Sequence, residues 1–300
     1  MITRLEQPWL LIETLWRLHP LKKVHDKAIA SMFEFARRRL SEHKLEKEQA
    51  TQNTSEKEEN FQTILDELVD AGANDEDIVH ELNTLLFGGH ETTAATMHMF
   101  FFLMSLHPQH QNQCRKEIDQ VFDEPSKFSN GNLFYESLTS LKYVERCLLE
   151  TLRLLPVAVA YMRRLQAKLR IEYEGKEVDV PPGTSIIIVP WVIHRNEEYY
   201  PNPEEFNPDR FLPEENAKRH SHSFLTFSAG PRNCIGIKFG MNEMKTVAAY
   251  VLRNFILSTT DKLEDVPLLP YMTLTPQRDY NFRMKKRVYI ATKSRDYLTK

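Results

Sequence analysis

Apolar residues recur at helical spacing along most of this chain, and the alternating pattern of strands is confined to two short regions. The longest helical pattern covers residues 75–107, where Asn74 or Asp75 can cap the helix and Pro108 stops it. Shorter patterns of the same kind predict further helices over residues 24–40, 115–122 and 141–155. The chain is therefore predicted to be mainly helical.

Short strands are predicted where the period of the pattern changes to two. Residues 169–189 alternate around Gly175 and around the turn formed by Pro181, Pro182 and Gly183. A second alternating region, residues 274–290, predicts a hairpin about Arg278 and Asp279. Together the two patterns predict an α+β fold that is mainly α with small β-sheets.

The first 60 residues combine an apolar segment with a highly charged one. Residues 8–18 (PWLLIETLWRL) are typical either of a core helix or of a segment that dips into a membrane surface. Helices are expected within residues 1–45. The stretch 41–60 is charged and nearly free of large apolar residues, and a solvated loop is predicted over residues 46–60.

Composition excludes several classes of protein without choosing one. With 300 residues, of which 41% are hydrophobic and 27% charged, the chain can bury one large core, and we expect a single domain over residues 1–300. A net charge of -3 gives no basic balance for binding nucleic acid. The three cysteines are too widely spaced for a disulfide framework or a zinc motif, which fits a reducing compartment.

One of these cysteines stands in a short loop bracketed by glycines. Cys234 lies between Gly230 and Gly236, and the apolar residues after it have helical spacing, so a loop and helix are predicted over residues 224–254. The positive end of a helix dipole favours a thiolate, and such a thiolate is a good axial ligand for haem iron. An ordinary buried thiol is the alternative interpretation of a single cysteine.

The neighbours of Cys234 make a specific pattern. From Phe227 to Gly236 the sequence is F-x-x-G-x-R-x-C-x-G, and at roughly 5% per residue type its five fixed positions match by chance in about one chain of ten thousand. In this pattern the chain resembles the cytochrome P450 family of haem-thiolate monooxygenases. The resemblance implies that Cys234 is the axial iron ligand, that Arg232 pairs with a haem propionate and that Phe227 and Gly236 also contact the cofactor.

A second motif, Gly88-Gly89-His90-Glu91-Thr92-Thr93, lies inside the long helical pattern. Two glycines in a helix interior cost about 1 kcal/mol each relative to alanine, which a close helix crossing, or a flat ligand against Gly89, would explain. The Thr92 hydroxyl can bond a carbonyl one turn back and open the helix. The motif resembles the oxygen-activating helix of the family, which implies that Glu91 and Thr92 deliver protons to bound dioxygen.

A third motif pairs Glu150 with Arg153 at a spacing that is common on helices and weak by itself. Arg210 follows in the segment Phe206-Asn-Pro-Asp-Arg-Phe211, ahead of the cysteine loop. In this order the residues resemble the E-x-x-R and meander motifs of the family. The resemblance implies a buried network of Glu150, Arg153 and Arg210 that is structural and holds the thiolate loop in register.

Two further assignments concern the rim of the site. The resemblance implies that Arg163 reaches a haem propionate, although Arg164 competes for this role. Apolar residues that would line a substrate pocket are equally expected as core residues. The candidates are Leu85, Leu86, Val157, Ala158 and Val159.

The Gly-His-Glu-Thr-Thr segment and Pro8-Trp9-Leu10 are most similar to family 4 of the superfamily, including its insect members. This resemblance implies insertion of one oxygen atom of O2 into a lipophilic substrate such as a fatty acid, hydrocarbon, terpenoid or xenobiotic. It implies haem b, held non-covalently because Gly88 stands where many members have a glutamate that esterifies a haem methyl. Electrons would come from NADPH through NADPH-cytochrome P450 reductase, with cytochrome b5 as a second candidate partner.

The resemblance covers essentially the whole chain, which is similar to the C-terminal portion of the family's fold. We therefore expect a single, incomplete haem-binding domain that lacks the N-terminal region and its apolar anchor. The full-length parent would lie on the cytosolic face of the endoplasmic reticulum membrane, in contact with the membrane surface. Two functional hypotheses remain open: a monooxygenase, or a truncated, inactive remnant that binds haem poorly or not at all.

Overall fold

A 32-residue helix, Asp75–Leu106, contains the boundary between two compact units of the chain, Met1–Glu91 and Thr92–Lys300. These units are seen in a computed structural model. It describes residues 4, 6–52, 63–129, 132–270, 273–278 and 280–288.

The first unit is helical. A 3₁₀ turn (Pro8–Leu11) precedes its helices, and a small core of Ala36, Leu40, Ile78 and Val79 holds them together. The helices are α1 (Glu13–Leu18), α2 (Leu21–Gln52), α3 (Ile64–Asp70) and the first part of α4 (Asp75–Leu106).

The charged stretch after Leu40 is helical as far as Gln52. The prediction of a loop over 46–60 is therefore wrong for residues 46–52, while residues 53–60 lie outside the described part of the chain. The reason is that charges expected to face only water pair with acidic residues near the next two helices. The pairs are Lys44 with Asp75, Lys47 with Asp70 and His43 with Asp66.

The apolar segment 8–18 is divided between the 3₁₀ turn and α1. Leu10 and Trp16 are buried, whereas Trp9 and Leu18 are largely exposed. Of the helices in the described ranges, none combines the length and the apolar character that crossing a membrane requires. Both interpretations of the segment, core helix and membrane-surface segment, stay open.

Helix α4 begins and ends where its sequence signals stand. The Asn74 side chain accepts a hydrogen bond from the Asp77 amide at 2.9 Å, which satisfies one of the amides left without a partner at a helix start. The helix ends at Leu106, one residue before the predicted end, and Pro108 opens the next helix. Capping and proline chemistry thus fix both ends of α4.

The second unit packs its helices around one large core, to which α4 contributes Met99, Phe100 and Leu103. Ile118 and Leu148 of the next two long helices meet them there. The helices are α5 (Pro108–Phe122), α6 (Lys142–Leu154), the short α7 (Pro190–Ile193) and α8 (Pro213–Asn216), and α9 (Ile237–Asn254).

Strands of the described residues pair two by two in small antiparallel sheets. The strands are β1 (Phe128–Ser129), β2 (Asn132–Leu133), β3 (Tyr161–Arg164), β4 (Leu169–Tyr173), β5 (Lys176–Val180), β6 (Ser185–Ile188), β7 (Phe255–Thr259), β8 (Leu268–Pro270), β9 (Leu274–Pro276) and β10 (Phe282–Lys286). The pairs are β1 with β2, β3 with β6, β4 with β5, β7 with β10 and β8 with β9. The prediction of a mainly α fold with small β-sheets is confirmed.

The hairpin predicted over residues 274–290 is wrong. Strand β9 pairs with β8, and β10 pairs with β7 so that Phe282 stands opposite Thr259. An alternating pattern shows which side chains share a face but does not identify the partner strand. Of the expected turn, Asp279 lies outside the described residues, and Arg278 instead bonds the Asp261 carboxylate.

The start of α6 is capped from another helix. Its N-cap residue, Leu141, has no side-chain acceptor, and the half-buried Glu117 carboxylate of α5 accepts hydrogen bonds from the amides of Tyr143 (2.7 Å) and Val144 (3.0 Å). Burial raises the pKa of Glu117, and these amides oppose the rise. Helices α5 and α6 are thereby joined through one carboxylate.

We expect Glu117→Ala to lower the free energy of unfolding by about 1–3 kcal/mol, because it leaves two amides without their acceptor. Glu117→Gln keeps one acceptor oxygen and is the matched control, with a smaller loss. Urea unfolding followed by circular dichroism measures both. An alanine variant as stable as the parent chain would contradict the capping role.

Candidate functional site

The loop that carries Cys234 is closed by its own backbone. The Cys234 amide donates to the Phe227 carbonyl at 2.9 Å, and the Asn233 amide donates to the Gly230 carbonyl at 3.0 Å. Gly230 has φ +78°, a left-handed conformation that glycine adopts without steric cost. The loop presents the Cys234 thiol at the surface, three residues before α9 begins.

Two large apolar residues that follow Cys234 closely in the sequence are exposed. Ile235 is 84% exposed and Phe239 75% exposed, which is unusual for large apolar residues. A Cβ built on Gly236 would lie 3.9 Å from the Cys234 sulfur, so glycine leaves room beside the thiol. Arg232 is also exposed. A soft sulfur donor with exposed apolar and cationic neighbours suits a flat, apolar, anionic ligand.

The structure distinguishes between the two candidate arginines on β3. The Arg163 guanidinium donates to the Ser228 hydroxyl in the cysteine loop at 3.1 Å. Side chains alternate along a strand, and the Arg164 guanidinium lies instead near Gly183. Arg163 is therefore the arginine that contacts the loop.

Ser228 itself has an uncommon backbone conformation. Its φ of +60° is left-handed, which is uncommon for a residue with a side chain. Its amide donates to the Leu225 carbonyl at 3.0 Å, and its hydroxyl accepts the bond from Arg163. In this tight turn both the amide and the hydroxyl of Ser228 form hydrogen bonds, with the Leu225 carbonyl and with Arg163.

Tyr161 also contacts the loop, and no sequence motif identified it. Its hydroxyl lies 2.6 Å from the Leu225 carbonyl and 2.5 Å from the Thr226 carbonyl, so it donates to this pair of acceptors. Burial raises the pKa of Tyr161 to about 12, and the hydroxyl keeps its proton. Tyr161 and Arg163 are two residues apart on β3 and so share one face of it. The alternating pattern did not predict this strand, so that shared face could not be inferred from the sequence.

Glu150, Arg153 and Arg210 are brought together. Arg153 donates to both Glu150 carboxylate oxygens at 2.7 and 2.9 Å, and both side chains are fully buried. The Arg210 guanidinium lies 3.4 Å from the same carboxylate. Burial raises the pKa of Glu150, and the hydrogen bonds and charge of Arg153 oppose the rise.

The same ion pair organises the irregular segment that follows β6 and α7. Arg153 also donates to the carbonyls of His194 at 2.9 Å and Glu205 at 3.2 Å, and Glu150 accepts from the Asn207 amide at 2.8 Å. These bonds satisfy the remaining polar groups of the buried pair, as burial of charges requires. The path of residues 194–210 is thus tied to α6.

His194 joins this network to the cysteine loop. Its Nδ1 is 3.2 Å from the Arg153 carbonyl, which can only accept, so Nδ1 carries the proton. Its Nε2 accepts from the Leu225 amide at 3.0 Å. Burial lowers the pKa of His194 to about 4, which keeps the imidazole neutral. No sequence pattern identified His194, because both of its ring partners are backbone groups.

The Gly-Gly-His-Glu-Thr-Thr motif lies in regular helix. A Cβ built on Gly88 or Gly89 would meet no described atom outside its own helix within 4 Å. Glu91, the last residue of the first unit, is half-buried, and Thr92, the first of the second unit, is exposed. The Thr92 carbonyl accepts the Thr96 hydroxyl at 2.8 Å.

The candidate substrate-lining residues differ in exposure. Leu85, Ala158 and Val159 are half-buried, and Leu86 is exposed. Val157 is a buried core residue whose carbonyl accepts from the Leu274 amide at 2.8 Å. Its assignment as substrate-lining stays a prediction.

The other two cysteines lie together in the core. The Cys114 and Cys147 sulfurs are 3.6 Å apart, and both are free, buried thiols. Burial raises the pKa of Cys147. Within the described residues, no group of three or more His, Cys, Asp or Glu side chains could hold a metal ion. Cys234 is thus the exposed soft donor of the chain.

Comparison with known proteins agrees with this geometry. The cytochrome P450 family model matches residues 1–284. Cytochrome P450 4V2 of Rattus norvegicus is 32% identical over 95% of this chain and 55% of the relative, and cytochrome P450 4c21 of Blattella germanica is 32% identical over 95% and 57%. Cytochrome P450 4c3 of Drosophila melanogaster is 38% identical over 75% of this chain and 42% of the relative.

The chain belongs to the cytochrome P450 family, and its curated relatives are family-4 proteins that include insect members, as the motifs predicted. It spans about half the length of the curated relatives that it matches.

We expect one of the three cysteines to react with a thiol reagent in the folded chain and all three after unfolding. The reactive one is Cys234, because Cys114 and Cys147 are buried. Spectrophotometric thiol counting in native buffer and in guanidinium chloride measures this, and Cys234→Ser lowers the native count to zero. Two rapidly reacting thiols in the native chain would contradict the buried pair.

The folded chain is expected to lose stability as the pH falls from about 6.5 toward 4. His194 has a lower pKa folded than unfolded, so the unfolded chain binds more protons in this window and is favoured there. From the shift in pKa, this residue accounts for about 3 kcal/mol. His107 and His110 act in the same direction, so His194→Gln should remove only part of the loss. Unfolding curves of both proteins at several pH values test this, and equal pH slopes would refute it.

Proposed function

We propose that this chain forms the haem-thiolate part of a monooxygenase that inserts one oxygen atom of O2 into a lipophilic substrate. The observation that carries the proposal is the exposed Cys234 thiol, held in a closed loop beside exposed apolar side chains. A thiol kept for packing would be buried, as Cys114 and Cys147 are. The family membership supports the same reaction class.

The residues around the loop fit a haem. Cys234 would ligate its iron, Arg163 and Arg232 would pair with its propionates, and Phe227, Gly236 and Gly89 would contact it. The haem would be haem b and non-covalent, because Gly88 offers no carboxylate for an ester bond. When bound, such a haem with a thiolate ligand supplies dioxygen activation and one-electron chemistry.

The protein side chains would control protons and position. The Glu91 carboxyl and the Thr92 hydroxyl are adjacent in α4. They would take up a proton from solvent and hold it at the haem site. Amides at the start of α9 have no partner within the helix and would favour negative charge on the Cys234 sulfur. The Glu150, Arg153 and Arg210 network would hold the loop in place without touching substrate.

Substrate, partners and location follow from the family at a coarser level. The substrate would be a lipophilic molecule, such as a fatty acid, hydrocarbon, terpenoid or xenobiotic. The candidate lining residues are Leu85, Leu86, Val157, Ala158 and Val159. NADPH-cytochrome P450 reductase would supply electrons, with cytochrome b5 as a second donor. The enzyme would act at the cytosolic face of the endoplasmic reticulum membrane.

The proposal is tested by the absorption spectrum of the chain with haem added, after reduction with dithionite and exposure to carbon monoxide. We expect the Soret band of a thiolate-ligated ferrous complex, and we expect Cys234→Ser to abolish it. Cys114→Ser, which removes a buried thiol elsewhere, is the matched control and should keep the band.

Two results would overturn the proposal. Absence of haem binding would identify the chain as the haem-free remnant. A band typical of histidine or neutral thiol ligation, unchanged in Cys234→Ser, would show that Cys234 is not the ligand.

A further inference from the structure

We propose that Tyr161 and His194 are positioning residues for Cys234: they hold the two backbone polar groups of Leu225 and so fix the loop that presents the thiol. Neither side chain belongs to a motif of the chain. The inference rests on the proposed function only in giving Cys234 the role of haem ligand, since the contacts themselves are independent of it.

The two side chains converge on one residue from different elements. His194, which follows α7, accepts from the Leu225 amide at 3.0 Å, and Tyr161 of β3 donates to the Leu225 carbonyl at 2.6 Å. The Tyr161 hydroxyl also lies 2.5 Å from the Thr226 carbonyl. Buried polar side chains usually find some partner. Here the partners are consecutive backbone groups at the start of one loop.

Bonds within the loop carry this position to the thiol. The Leu225 carbonyl also accepts from the Ser228 amide at 3.0 Å, and the Phe227 carbonyl accepts from the Cys234 amide at 2.9 Å. Leu225 is thus connected to Cys234 through one tight turn and through the hydrogen bond that closes residues 227–234. A displacement of Leu225 would move the Phe227 carbonyl, to which the Cys234 amide donates.

The other end of the connection is the buried ion pair. The Arg153 guanidinium donates to the His194 carbonyl at 2.9 Å, while the His194 ring, at 3.2 Å, donates to the Arg153 carbonyl. The Thr226 hydroxyl donates to the Leu152 carbonyl of the same helix at 3.1 Å. His194 is therefore fixed by α6 on one side and fixes the loop on the other.

The first test removes one hydroxyl. Tyr161→Phe keeps the ring and loses both contacts to the loop, and Tyr280→Phe, a buried tyrosine stacked on Phe102, is the matched control. Hydrogen–deuterium exchange of the Cys234 amide is measured in the chain without haem and normalised to the global stability of each variant. We expect about five- to tenfold faster exchange in Tyr161→Phe, from the net value of one hydrogen bond, and no change in Tyr280→Phe.

A second pair of variants separates the two ring nitrogens of His194. Glutamine places its side-chain oxygen near the former Nε2, where it can accept from the Leu225 backbone amide. Asparagine places its side-chain NH2 near the former Nδ1, where it keeps only the bond to the Arg153 carbonyl. We expect His194→Asn to accelerate exchange at Cys234 and His194→Gln to restore protection. These variants also decide the question if Tyr161→Phe fails to fold.

With haem added, the same variants give a spectroscopic measurement. The thiolate form of the ferrous carbon monoxide complex should convert to the thiol form several-fold faster in Tyr161→Phe and His194→Asn than in their controls. Unchanged exchange at Cys234 in both variants would overturn the inference. If the parent chain takes up no haem, the proposed function fails, while the exchange measurement still decides whether these residues hold the loop.

Discussion

The structure of the second unit depends on the complete burial of one ion pair, Glu150 with Arg153. A guanidinium without solvent must find acceptors within the protein, because an unsatisfied buried charge costs several kcal/mol. Arg153 finds them in the Glu150 carboxylate and in the carbonyls of His194 and Glu205. Replacing such a pair with apolar residues is often neutral in stability. Its value here is that it determines where a long irregular segment runs.

In this unit the supporting groups and the reactive group differ in burial. The groups that hold the site, namely the ion pair, His194 and Thr226, are buried, whereas the group with reactive chemistry, Cys234, is exposed. Close-packed interiors resist displacement, so a loop anchored in one can present a thiol at a defined place. The apolar side chains of Ile235 and Phe239 are exposed next to this loop, which is unfavourable in water.

Sequence reasoning succeeded where a signal is local. Asn74 and Pro108 set the ends of α4. The network of Glu150, Arg153 and Arg210, which the fold brings together, was expected from the resemblance of two short motifs to the family and not from spacing alone. It failed where the partner is a distant backbone group or strand. Glu117, Tyr161 and His194 all act on backbone amides or carbonyls, which every residue type possesses, so no pattern of side chains could identify them. The partners of β9 and β10 were missed for the same reason. The acids that pair with the charged end of α2 are side chains, and they were missed because they belong to other helices, distant along the chain.

The left-handed turn at Ser228 limits which amino acids this position can accept. Glycine would adopt φ +60° with less strain but has no oxygen to receive Arg163, and alanine has neither advantage. A β-branched residue would clash in that conformation. Small side chains that tolerate the left-handed region and carry an oxygen, such as asparagine and aspartate, meet both demands. The position therefore has a narrow range of neutral substitutions, although it lies in an irregular loop, where variation is ordinarily easy.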